Sequence, residues 1–445
     1  MRSAFILGVL LYILTLGLSY PFVAGMAYLW IDIVKPQNLA YSFVNSLPLS
    51  RIAAVVVLAS YAINANKKSF RLTPVMCLVA CLALWVTITT YLANPMLNSW
   101  AKWDWAFKGL IFTIIIPLIF RTRVEIEALL LTIIFSIATT TFSAGIKTAL
   151  GGGGYGVLAV LGNGDSGLSE TSTLAAVSIM LLPLLHYVYR NTVIFPDSRI
   201  FKSIIWIIGI CSILTVVGTS ARTGLIAAAF LLLCYALRSK RKIVFVLILA
   251  MALGVGMTLD LKDTHWGQRM STINTYEKDS SASGRLAVWK WTLGFVAENP
   301  LGGGFDAYRL DNIASVDNEG NAEYYPPGRF QGKAFHSIYF EVLGEHGFIG
   351  FGLYYSIMFL TLWRLGRIRK FCQTRPDLQW LSDFAMHVRE AQGVLLIGGL
   401  FIGIAFQPVM FYLVAITISL SGFMLESNVK KNTAVRFPLN NATAS

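Results

Sequence analysis

KAFHSIYFEVLGEHGFIG, Lys333 to Gly350, passes from a polar segment into an apolar one. It sets His336, Glu341 and Glu345 where the chain turns hydrophobic, and repeats glycine at 344, 347 and 350. Glycine at spacing three leaves a bare stripe that lets helices approach closely. Titratable groups beside a bilayer are costly and tend to carry function. The stretch therefore reads as the mouth of a transmembrane helix with chemistry at its entrance.

The rest of the chain supports a membrane setting. Of 445 residues, 56% are hydrophobic and only 13% charged, against about 25% charged in a soluble domain. So much apolar surface exceeds what a water-soluble core can hide. The expectation is an all-α, polytopic membrane protein, a single domain over 1–445. A span takes about 20 apolar residues. Candidate spans lie near 4–32, 50–64, 74–93, 107–120, 126–147, 169–189, 203–218, 222–237, 243–260, 346–363, 392–407 and 408–425, about twelve in all. The opening MRSAFILGVLLYILTLGLSY reads as the first of these, broken near Pro21, because its apolar run continues to about Ile31.

Basic residues set the orientation. RSKRK (Arg238–Lys242), RLGRIRK (Arg364–Lys370), NKKSFR (Asn66–Arg71), RTR (Arg121–Arg123), the Arg190–Lys202 connection and Lys430/Lys431 all fall on one side if both termini are cytoplasmic. The remaining long segment, 261–335, holds eight Lys/Arg and nine Asp/Glu. It is expected as an extracytoplasmic loop with helices near the membrane surface. The net charge of +13 is then topological: the chain faces membrane lipids and not nucleic acid. The setting implied is a bacterial inner membrane. WAKWDWAFK (Trp100–Lys108) reads as an interfacial helix.

The five cysteines are scattered, and the histidines form no metal motif; neither a metal nor another cofactor is expected. Arg222, in GTSARTG, stands between two apolar runs. It is either an interfacial anchor or an anion ligand assisted by Thr219, Ser220, Thr223 and the backbone N–H groups opening the next helix. Arg285 follows a helix start at SASG with Ser283 as cap; a cation there is locally unfavourable and calls for a specific partner. Leu286, Trp289, Leu293 and Val296 then recur at helical spacing, in a helix expected along the membrane surface. His336 combines a pKa near 6.5 with a boundary position and suits proton transfer. Glu341 or Glu345 could orient or tune it. Lys147, ahead of the Gly151–Gly154 run, is a further basic candidate.

Together TSARTGLI, SGRLAVWKWTLGFVAENPLGGGF and HSIYFEVLGEHGFIG resemble the superfamily of bacterial O-antigen ligases, O-antigen polymerases and protein O-oligosaccharyltransferases, over roughly residues 150–425. The chain departs from the usual pattern at Ala221, where serine is common, and at Ser337, where asparagine is common. WIDIVKPQNLAYSF (Trp30–Phe43) resembles a narrower branch, the exosortase-associated O-glycosylation ligases. The resemblance implies a metal-independent glycosyltransferase. It would take a glycan from undecaprenyl diphosphate and deliver it to a hydroxyl acceptor (lipid, polysaccharide or protein Ser/Thr) at the outer face of the membrane. It also implies Arg222 and Arg285 as ligands of the donor diphosphate and His336 as the group acting on the acceptor. A repeat-unit polymerase shares this chemistry. A transporter or flippase is the non-enzymatic alternative, against which stand the absence of an internal repeat and the clustering of polar residues outside the spans.

Overall fold

The structure is a computed structural model that describes residues 2–40, 42–64, 72–151, 168, 170–240, 280–317, 322–326 and 328–436. Its helices are α1 Arg2–Ser19, α2 Pro21–Val34, α3 Leu49–Asn64, α4 Pro74–Leu92, α5 Ser99–Ile119, α6 Arg123–Gly151, α7 Thr171–Asn191, α8 Arg199–Thr219, α9 Arg222–Arg238, α10 Ser280–Glu298, α11 Ile338–Cys372, α12 Gln379–Gly398 and α13 Pro408–Arg436. A single antiparallel pair, β1 Ile313–Val316 and β2 Ala322–Tyr324, is the only sheet among the described residues. Local chemistry sets several helix starts. Thr73, Ser198 and Ser337 cap α4, α8 and α11 by accepting from Met76, Phe201 and Tyr339 N–H groups, and Pro21 and Pro74 occupy first-turn positions where no N–H is needed.

This is a polytopic membrane protein, but the expected twelve spans do not all materialise. Among the described residues, six helices are long and apolar enough to cross a membrane: α4, α6, α7, α8, α11 and the Pro408–Ser427 part of α13. α2, α3 and α9 have only 14, 16 and 17 residues. α5 carries Lys102, Asp104 and Lys108, and α12 carries Asp383, Arg389 and Glu390; Lys102 and Glu390 form buried ion pairs, with Glu341 and Glu345 and with Arg238, while Asp104 pairs with Arg51 and Lys108 at the exposed surface. The span expected at 392–407 is also displaced. α12 ends at Gly398, and 399–407 is an irregular segment whose backbone is satisfied by neighbours: Gly399 O accepts from Ile338 N at 2.8 Å, and Ala405 O from the Tyr354 hydroxyl at 2.7 Å. Irregular backbone at such depth persists only with such partners. The span expected at 243–260, the NKKSFR cluster, most of the Gly151–Gly154 run and residues 261–279 lie outside the described residues.

The single broken span expected at 4–32 is instead a helical hairpin. Gly17 of α1 packs on Ala24 of α2. The Leu18 carbonyl accepts from Ser60 and Asn64 at the far end of α3. α1 also touches the one-turn helices Pro36–Leu39 and Ser42–Ser46 that link α2 to α3. α1 therefore runs alongside α3, with α2 antiparallel to both.

Contacts fix which ends meet. Gly218 of α8 lies against Thr148 of α6, Ser99 of α5 donates to Phe305 O at 2.6 Å, and Asp32 of α2 bonds Tyr412 of α13. These meet at the end holding His336. At the other end Arg123 donates to Asn191 O at 2.8 Å, and Ser382 to Arg369 O at 3.3 Å. That end collects Arg123, Arg190, Arg238 and the Arg364–Lys370 cluster, on the termini of α6, α7, α9 and α11, with Arg121 in the link before α6.

Candidate active site

The site rests on a broken helix. α11 is interrupted at Gly347, whose φ of 63° and ψ of −165° free neighbouring backbone groups. The Pro300–Gly304 turn that follows α10 takes them up. Gly303 N donates to Gly344 O at 3.0 Å, Gly304 N to Glu345 O at 2.8 Å, and Phe348 N donates to Pro300 O at 3.1 Å. Gly302 and Gly304 adopt φ of 84° and 79°, a region L side chains avoid. A Cβ on Gly347 would collide with the Pro300 carbonyl. The NPLGGG segment is thus the partner that makes the break tolerable in apolar surroundings; Gly344 and Gly347 of the α11 repeat serve this junction, while Gly350 faces Trp85.

A buried ion network fastens the junction. Lys102 Nζ lies 2.7 Å from Glu341 Oε1 and 2.7 Å from Glu345 Oε1. Glu341 Oε2 accepts from Ala405 N at 3.0 Å, and Glu345 Oε1 accepts from Asp306 N at 2.9 Å. Glu345 is wholly buried. One ammonium thus ties α5, α11, the NPLGGG turn and the 399–407 segment together. Glu341 and Glu345, expected beside His336, make no hydrogen bond to it and hold Lys102 instead. Nor is Trp100–Lys108 a separate interfacial helix: it is the first half of α5, with Lys102 turned inward.

Next to this junction the chain presents His336. Phe335 is buried, and its carbonyl accepts from Trp289 Nε1 of α10 at 2.8 Å. The Trp289 ring stacks on Phe340 at 4.8 Å and 6°. Between these anchors His336 sits at φ 47°, a left-handed conformation costing a non-glycine residue about 1–2 kcal/mol. Strain held by flanking contacts is a common property of functional positions. His336 keeps access to solvent through a cavity of about 210 Å³ lined by Gly284, Arg285, Lys333, Ala334 and His336, whose walls partly desolvate the ring. Burial lowers the His336 pKa from its ordinary value, and the Arg285 and Lys333 charges add to that; Glu170 and Glu341 pull the other way. The ring is therefore neutral at neutral pH, with a free nitrogen lone pair. Behind the cavity, Asp311 accepts from Ile313 N at 2.7 Å and Lys333 N at 3.2 Å. Its carboxyl is pushed up to about 7 by burial.

Of the residues picked out in the sequence, Arg285 and His336 share this cavity. Arg222 does not line it but begins α9 at the same end: Thr223 packs beside Gly398, whose neighbour Gly399 bonds Ile338. Ser220 and Thr223 are buried and do not line the cavity. The Thr219 hydroxyl is engaged with Val216 O and Ala221 N. Lys147 adjoins Thr148, which packs on Gly218. Ser283 is not a cap, because α10 already runs from Ser280. The buried stripe of α10 is Gly284, Val288, Thr292 and Val296, while Leu286 and Leu293 are exposed. Sequence reasoning passed over Lys102 and Lys333 and gave Trp289 only a surface role. Among the described residues no three His, Cys, Asp or Glu side chains are grouped to hold a metal ion.

The protein is a multi-pass helical membrane protein with a cavity lined by Arg285, Lys333 and His336 at one end. Within it, residues 207–355 match the family model described as O-antigen ligase, a family of enzymes that transfer lipid-linked glycans. The match spans α9, α10, the cavity and the first half of α11. Residues 1–193 match a family of unknown function, DUF5935. No curated protein matches the chain.

Proposed function

We propose that this protein is a membrane glycan ligase that moves a glycan from undecaprenyl diphosphate to a hydroxyl acceptor at the periplasmic face of a bacterial inner membrane. The observation that carries the reading is the shared cavity of Arg285 and His336, inside the O-antigen ligase match. The basic clusters gather at the opposite end, which the positive-inside rule assigns to the cytoplasm. Arg222 and Arg285 bind the donor diphosphate. As the anomeric C–O bond breaks, charge grows on the departing diphosphate, and guanidinium groups in a water-poor site stabilise it there. Neutral His336 takes the proton of the acceptor hydroxyl while its oxygen bonds the anomeric carbon. Polyprenyl diphosphate leaves, and single displacement inverts the sugar's configuration. The narrower resemblance of Trp30–Phe43 favours an exosortase-associated ligase.

Reconstitution tests the reading. Purified protein in proteoliposomes, given a labelled polyprenyl-diphosphate-linked glycan and a hydroxyl acceptor, should form one conjugate per acceptor. A ladder of lengthening glycans without acceptor would identify a polymerase. Counterflow of the lipid-linked glycan with no covalent product would identify a transporter.

A further inference from the structure

We infer that Lys333 is a third cationic ligand of the departing diphosphate, acting on the charge that appears only as the glycosidic bond breaks; this rests on the ligase reading above. Lys333 lines the cavity with Arg285 and His336. No ion pair or side-chain hydrogen bond engages its ammonium among the described residues, although the chain holds its backbone closely. Its N–H is fixed by Asp311, and a side chain at Gly332 would strike that carboxylate. A Cβ at Gly284 would stand 3.1 Å from Lys333 Nζ, so the glycine leaves room for the ammonium beside α10. Among the described residues no carboxylate lines the cavity. A lysine ammonium with no such partner, set in the same cavity wall as a guanidinium and an imidazole, favours an anion there.

Charge counting distinguishes the role of this lysine. A diphosphate esterified at both ends carries two negative charges, which Arg222 and Arg285 match. Loss of the glycosyl group leaves a terminal phosphate whose second ionisation lies near pH 6, so the leaving group approaches three. The electron pair of the broken C–O bond stays on that phosphate, and a third cation meets it. An interaction made only as charge develops raises kcat rather than tightening donor binding.

The test is steady-state transfer by Lys333→Gln in proteoliposomes, with inhibition by polyprenyl diphosphate read in the same assay. The expected result is a kcat lower by about 10–100-fold, below the effect of losing a fully enclosed oxyanion donor. The donor KM should stay within about threefold, and product inhibition should weaken about tenfold. Lys333→Arg should restore most of the rate, since it keeps the charge. If Lys333→Gln fails to accumulate, Gly284→Ala provides the test: its Cβ displaces the ammonium, and helix propensity improves, so kcat should fall in the same direction. Unchanged kcat and product inhibition in Lys333→Gln, with Arg285→Gln inactive, would overturn the inference alone. Full activity in both would overturn the ligase reading as well.

Discussion

Replacing Lys102 by methionine removes the one cation shared by two buried carboxylates. Lys102 meets Glu341 and Glu345 at 2.7 Å each, and Glu345 has no exposed surface. Methionine keeps much of the side-chain volume, so the change is electrostatic. Breaking a buried pair by deleting one partner costs about 3–5 kcal/mol, because an uncompensated charge remains. At about 2 cal/mol/K of unfolding entropy per residue, a chain of 445 residues should lose about 4 °C of thermal midpoint. Activity should fall too, since the network ties Asp306 and Ala405 beside His336. The assay is thermal unfolding in detergent, read by tryptophan fluorescence, with transfer measured in parallel. The triple variant Lys102→Met, Glu341→Gln, Glu345→Gln leaves no charge behind and should recover most of the midpoint. A single variant within about 1 °C of wild type, or a triple variant no better than the single, would refute the reasoning.

Trp289→Phe should keep the stack on Phe340 but lose the bond to Phe335 O; at about 1 kcal/mol, kcat should drop about fivefold with KM steady. Gly347→Ala should cut the yield of folded protein, since its Cβ meets the Pro300 carbonyl, whereas Gly8→Ala, with open space around it, should not; size-exclusion profiles of detergent extracts decide. Because the His336 pKa is lowered by burial, Arg285 and Lys333 against Glu170 and Glu341, kcat/KM should rise with pH only below the ordinary histidine value and be flat at neutrality. Lys333→Gln removes one lowering charge, so that acid limb should move to higher pH.

The membrane class and the two chemical groups of the cavity were legible in the sequence. His336 stood out because it sits where a helix meets an irregular segment, a position that needs no knowledge of packing; Arg285 stood out as a first-turn cation, but α10 begins at Ser280 and places it inside the helix. The role of NPLGGG was half legible: its glycines announced a turn, but not that the turn would splice a helix break forty residues on. Lys102 was missed because tryptophans on either side suggest a membrane surface. A signal existed, however: Ala106, Gly109, Leu110 and Thr113 follow it on one buried helical face, and Glu341 and Glu345, spaced i, i+4, needed a cation. The α1–α2 hairpin was hidden because proline after an apolar run serves equally for a kink and for a reversal. The span count was inflated because short apolar runs were counted as crossings: α2, α3 and α9 have only 14, 16 and 17 residues, below the about 20 that a bilayer span takes.

The most direct test of the central claim compares wild type with His336→Ala in one proteoliposome assay. Labelled polyprenyl-diphosphate-linked glycan and a hydroxyl acceptor are supplied in excess EDTA, and both proteins are matched for insertion and thermal midpoint. Wild type should form conjugate and release polyprenyl diphosphate, while His336→Ala should form none above background. Equal conjugate from both proteins would contradict the account.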